Sequence, residues 1–238
     1  MHSPFVFRWI REVRRGPVTH HLHRLRIVHR ALKRSRDTVH YAPVGARASD
    51  RMRTVTIRQL ARHVASGPRV HRVLHHLAAR STGDVLELGT SLGLGTAAMA
   101  SAAPSHTVHT VEAIDALEPV ERRVWTDLNL TNIRRHAGRF EEVIGALRPA
   151  GGAWGLIYID GDHTEEATLR LVDRLWETSD EQTVLVLDDI HWSPGMERAW
   201  RTIRADERFT LSLDLHRLGI LYRSPDILQK RHIALWPI

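Results

Sequence analysis

Four short apolar runs in this sequence each deliver a carboxylate. Glu87 lies inside Asp84-Val-Leu-Glu-Leu-Gly89, and Glu112 closes Thr107-Val-His-Thr-Val111. Asp160 closes Trp154-Gly-Leu-Ile-Tyr-Ile159, and Asp188-Asp189 closes Thr183-Val-Leu-Val-Leu187. Runs of this length, bounded by turn residues, read as buried strands. In open parallel sheets, ligands bind outside the carboxyl ends of such strands. Carboxylates that converge there repel one another unless a cation or protons intervene. Asp160, Asp188 and Asp189 are hard oxygen donors of the kind that favours Mg²⁺, or Mn²⁺ or Ca²⁺. His163, in Asp160-Gly-Asp-His163, is positioned in sequence to take a proton near neutral pH.

The spacing of Gly89, Gly93 and Gly95 narrows the ligand. Glycines let a backbone turn sharply and approach a ligand closely, and the small-residue segment from Thr96 to Ala103 reads as a helix whose first N–H groups face the turn. A carboxylate about 20 residues further on, Glu112, is placed to accept hydrogen bonds from ribose hydroxyls. Yet the pattern is G-x-x-x-G-x-G, not the G-x-G-x-x-G of pyrophosphate sites, and no Lys-Ser or Lys-Thr follows to make a P-loop. Glu87 inside the turn would repel a diphosphate and suit a cationic amino-acid moiety. A glycine turn without a ligand is the plain alternative, and the two acids argue against it.

The elements that must hold these residues alternate strand and helix from Asp84 onward, the signature of an α/β sheet. Helices are expected at Leu117–Leu130, Thr164–Thr178 and from Pro194 to about Arg204, with a weak strand at Ile133–Ala137. The chain closes with a hairpin, Phe209–Leu215 against Ile220–Tyr222. Residues 1–80 read as a helical cap on the 81–238 core: an amphipathic helix over 18–36, a loop at Pro43–Ser49, and helices near 54–65 and 69–80 broken by Gly67-Pro68. Pro4, Phe5, Phe7 and Trp9 read as packing residues rather than a targeting signal.

Composition sets outer limits. With 238 residues, 42% of them hydrophobic, the chain can bury a sizeable core, and no apolar run approaches a membrane span. The absence of cysteine removes disulfides and thiolate metal sites and fits a cytoplasmic setting. Charge is unevenly spread: residues 1–80 hold 18 Lys and Arg against Glu12, Asp37 and Asp50, hence +15, while the rest is −8. An arginine bias without function and a basic face for phosphates, anionic lipid or an acidic substrate both remain open.

The segment Leu86-Glu-Leu-Gly-Thr-Ser-Leu-Gly93 resembles motif I of the class I S-adenosylmethionine-dependent methyltransferases. The final hairpin on a five-strand core resembles their Rossmann-like seven-stranded sheet, whose last strand runs antiparallel. Asp160 with Asp188-Asp189 resembles the cation ligands of catechol- and caffeoyl-CoA-type O-methyltransferases, in which a lysine often stands where this chain has His163. A closer resemblance is to bacterial members of the class that share the His2-Ser-Pro-Phe-Val-Phe7 start, Asp188-Asp-Ile-His-Trp-Ser193 and Met196-Glu-Arg-Ala-Trp200. The resemblance implies cofactor contacts at Glu87, Gly89, Thr90, Ser91, Gly93, Glu112, Ala113, Gly138, Phe140 and Asp160. It further implies a cation, Mg²⁺ or another divalent ion, on Asp160, Asp188 and Asp189, and catalysis by His163 and Asp160.

The expected activity is O-methylation of a small hydroxylated acceptor. A methyltransferase for RNA or another large anion, docked on the basic cap, is the rival; aromatics are not interleaved with the basic residues as base stacking requires. A non-catalytic cofactor-binding protein is the third. Asp160 could instead hold the cofactor's amino group without metal, Asp188-Asp189 could cap a turn, and His191, Trp192 and Trp200 read as structural. Whether the cap closes the site or makes a homodimer contact is open.

Overall fold

A computed structural model describes residues 11–12, 19–45, 48–223, 227 and 229–235. The His2–Phe7 start, Trp9 and Val18 lie outside the described residues, as does Arg47 of the Pro43–Ser49 loop.

Among its described residues the cap holds helix α1 (His20–Leu32), whose N-cap Thr19 accepts the Leu22 N–H and whose Leu22, Leu25 and His29 are buried. Strands β1 (Thr38–Tyr41) and β2 (Arg53–Thr56) then pair antiparallel, Thr38 opposite Thr56. This hairpin corrects the all-helical reading of the cap. The β-branched Thr54-Val55-Thr56 pairs as a strand, so helix α2 (Ile57–His63) starts later than expected, at a capping box between Thr56 and Gln59. Helix α3 (Pro68–Ala78) follows Gly67 and carries Pro68 in its first turn. Leu22, Leu25, Ile57 and Leu60 share one apolar cluster with Leu94, Ala97 and Val124 of the core, and Arg24 donates to the Asp127 carbonyl at 2.6 Å.

The core contributes β3 (Val85–Leu88), α4 (Leu94–Ala100), β4 (Val108–Glu112), α5 (Glu118–Asp127), β5 (Ile133–Ala137), α6 (Phe140–Val143) and β6 (Leu156–Ile159). It continues with α7 (Glu165–Trp176), β7 (Val184–Leu187), α8 (Pro194–Ala205), β8 (Leu211–Asp214), β9 (Gly219–Tyr222) and β10 (Arg231–Ala234). The sheet runs β10-β8-β9-β7-β6-β3-β4-β5, parallel except for β9 against β7 and β8. Residues of β3, β4 and β6 are buried throughout because helices cover both faces. The α/β expectation and the antiparallel strand hold, but the sheet has eight strands where seven were expected, because β10 adds to β8. Strand order reverses between β3 and β6, which makes their carboxyl ends the crevice of the fold. No helix among the described residues is long and apolar enough to cross a membrane.

Candidate active site

At the tip of β3 the backbone is forced into conformations that suit glycine. Gly89 has φ +103°, and a Cβ there would meet the Asp160 carbonyl oxygen at 2.0 Å. The turn is thus packed directly on the tip of β6. Ser91 takes φ 52° and gives its N–H to Glu112 Oε2 at 2.9 Å, while the Ile114 N–H holds Oε1 at 2.9 Å. Burial raises the Glu112 carboxyl, and the N–H donors of Ile114, Ser91 and Ala113 oppose that rise. Gly138 donates to the Glu112 carbonyl at 3.0 Å, and Phe140 stands against Gly161, whose added Cβ would meet the ring at 2.8 Å. Gly93, with φ +72°, accepts at its carbonyl from Trp125 Nε1 at 3.1 Å.

Glu87 differs from the expectation of an open cofactor contact. It is 1% exposed, and its Oε2 accepts from the hydroxyls of Thr96 and Thr110, with Thr90 bonded to Thr110 in turn at 2.6 Å. Burial pushes its carboxyl up to about 8. Glu87 and Thr90 therefore fasten the turn to β4 and α4 from beneath.

The carboxylates after β6 and β7 do converge, and a guanidinium meets them. Arg217, in the β8–β9 turn, donates to Asp188 from Nε and Nη2, each at 2.7 Å, and its Nε is 3.4 Å from Asp189 Oδ1. Tyr158 lies two residues before Asp160 on the same strand face, and its hydroxyl is 2.9 Å from both Asp160 Oδ2 and Asp188 Oδ2. Ser66 Oγ is 3.4 Å from Asp160 and 3.5 Å from Asp188. Burial and the neighbouring Asp188 raise Asp160 well above the usual range. Burial would raise Asp188 too, but the hydrogen bonds and charge of Arg217 outweigh it and leave Asp188 lowered. Asp189 is raised by burial and by Asp188. Repulsion among the three is thus relieved by an arginine.

That arrangement does not fit a divalent cation. Both Asp188 oxygens are taken by Arg217, Oδ1 also by the Asp189 N–H, and Asp160 Oδ2 by Tyr158. Among the described residues no three His, Asp or Glu side chains are grouped so as to hold a metal ion. The Mg²⁺ expectation is corrected on this ground: a guanidinium already stands on Asp188.

His163 is partly exposed, with Nε2 at 3.7 Å from Asp160 Oδ1 and 3.9 Å from Asp189 Oδ2. His191 instead bonds Asp214 at 3.0 Å, where buried Trp200 donates at 3.2 Å, so both are structural, while Trp192 is 60% exposed. The cap reaches the site: a Cβ on Gly45 would stand 3.4 Å from Asp162 Cα.

Residues 86–190 match the profile of a methyltransferase domain. Among solved structures, the SAH-bound methyltransferase PaMTH1 of Podospora anserina aligns at TM-score 0.62 and 11% identity, covering 93% of this chain and 96% of that one. Cofactor-bound Rv0187 from MTB aligns at 0.60 and 18% identity, over 94% and 99%. The O-methyltransferase TomG of Streptomyces achromogenes, in complex with SAM, aligns at 0.61 and 16% identity, over 87% and 90%. The fold is that of the Rossmann-like methyltransferases. No curated protein matches the sequence.

Within this methyltransferase fold, three residues of the site escaped sequence reasoning. Tyr158 had a signal, since period-two alternation puts it on the face of Asp160. Ser66 looked like part of a helix break, and Arg217 like part of a turn; only the insertion of β9 beside β7 brings Arg217 to Asp188.

Proposed function

We propose that the chain is an S-adenosylmethionine-dependent O-methyltransferase acting on a small hydroxylated acceptor without a metal ion. One observation carries this reading: the glycine turn packs on the strand tip that bears Asp160, with His163 beside it. S-adenosylmethionine supplies an electrophilic methyl group on a sulfonium. Glu112, already fixed by Ser91 and Ile114, keeps lone pairs for ribose hydroxyls. His163, 3.7 Å from Asp160 and 3.9 Å from Asp189, would accept the proton of the acceptor hydroxyl. Holding oxygen and sulfonium in line can supply about 7–11 kcal/mol of the barrier.

The test is transfer of a labelled methyl group to a panel of phenols and sugars, with and without EDTA. Transfer should be indifferent to EDTA, and His163→Ala should lower it by roughly 10²–10⁴-fold. Glu112→Ala should weaken SAH binding by about 1–3 kcal/mol in calorimetry. A wild-type protein that gives no heat with SAM or SAH would end this reading.

A further inference from the structure

A cavity of about 690 Å³ opens between α1, the start of α3 and the β8–β9 turn. Arg26, Arg30 and Lys33 line it from α1, Arg69 from the first turn of α3, and Arg217 from the β8–β9 turn. Buried Val70, Val73, Leu215 and Leu218 supply the apolar part of its lining. Positions 26, 30 and 33 fall a helical turn apart, so three like charges share one face and destabilise the helix unless something opposite meets them. Among the described residues, no carboxylate comes within ion-pair distance of Arg26, Arg30, Lys33 or Arg69. Gly67 also lines the cavity and caps α3 without a side-chain acceptor, leaving first-turn N–H groups for a ligand.

The cavity is joined to the carboxylate site in two ways. Arg217 belongs to both, lining the cavity while it holds Asp188. Gly67 follows Ser66, whose hydroxyl approaches Asp160 and Asp188. The cavity and the carboxylate site therefore share a wall.

We propose that this cavity binds the phosphate or diphosphate of a small acceptor, whose reacting hydroxyl extends toward the carboxylate site. The acceptor role rests on the methyltransferase reading; the anion site does not. Arginine forks match phosphate oxygens in pairs, and four cations with no carboxylate partner among the described residues call for more than one negative charge. The volume is that of a small-molecule site, and the mixture of cations with apolar side chains suits an organic body carrying an anionic head. RNA or a lipid surface would engage cations spread over an open face rather than gathered around a concavity.

The experiment is calorimetry of the full chain with inorganic pyrophosphate at low salt, alongside SAH. Wild type should bind pyrophosphate, and the exposed double variant Arg30→Gln/Arg69→Gln should bind it at least tenfold more weakly with SAH affinity unchanged. Equal binding by wild type and variant, or no binding by wild type, overturns the proposal. So does capture of a 20-nucleotide RNA or of phosphatidic-acid vesicles tenfold more tightly than pyrophosphate, if that capture is lost in the same variant. Pyrophosphate binding with silent SAH titrations would remove the methyltransferase reading and leave the anion site standing.

Discussion

The arginines of α1 and those of the core helices are arranged by different rules. On α5, α7 and α8 an arginine stands one turn after a glutamate: Glu118–Arg122, Glu166–Arg170 and Glu197–Arg201 all pair. On α1 the same spacing sets Arg26 against Arg30, like against like. The core shows how this chain treats arginine when only a solvated helix face is at stake. On α1 this departure coincides with the lining of a cavity, whereas on α2 Arg58 and Arg62 take the same spacing without lining it, so the cavity and not the spacing marks a functional use of charge. Arg217 belongs to both rules, paired on one side with Asp188 and lining the cavity with the other cations.

Removing that shared residue should have the largest effect. Arg217→Ala leaves Asp188, whose side chain is 0% exposed, without its guanidinium. The folded Asp188 carboxyl lies below its ordinary value, so the stability it contributes is present above the unfolded value and fades as pH falls through the folded one. The variant should lose about 3 kcal/mol at pH 7 and progressively less only as pH falls below about 4 in urea unfolding. A loss independent of pH would show that Arg217 acts by packing alone.

An intermediate effect should come from Glu87, a core acid met by hydroxyls rather than by a cation. Its folded pKa is raised to about 8, so its stabilising contribution is full below the unfolded value and is lost as pH rises through 8. Wild type should lose on the order of 1–3 kcal/mol relative to Glu87→Gln between pH 5 and pH 9. Parallel stability curves would mean that Glu87 is already ionised at pH 5. The smallest effect tests the comparison itself. Arg122→Gln, which breaks a pair, should destabilise by about 0.3–0.5 kcal/mol, whereas Arg30→Gln should leave stability unchanged or raise it by a few tenths. Equal losses at both positions would mean that α1 carries a counter-charge after all.

Much of this was readable from residues alone. The glycine turn, the two strand-tip carboxylate groups and the antiparallel strand are local patterns, set by Gly89, Asp160, Asp188 and the apolar runs before them. The hairpin in the cap was not, because β1 and β2 are joined by a long loop rather than by the two-residue turn that announces a hairpin. Glu87 was read as facing a ligand because a sequence shows its position in the turn but not the Thr96 and Thr110 hydroxyls beneath it. The metal was expected from three carboxylates, since like charges demand an opposite one. The sequence could not say that the opposite charge sits 29 residues beyond Asp188, at Arg217.

The extra strand has a consequence for the chain's neighbours in a crowded cell. β8 is buried along its length, and without β10 it would end the sheet with a free row of backbone donors and acceptors. β10 takes up that row in parallel register and turns exposed Arg231 and His232 outward in its place. The rim of the sheet is then an exposed four-residue strand that carries Arg231, so this side of the sheet resists templating by another unfolded molecule.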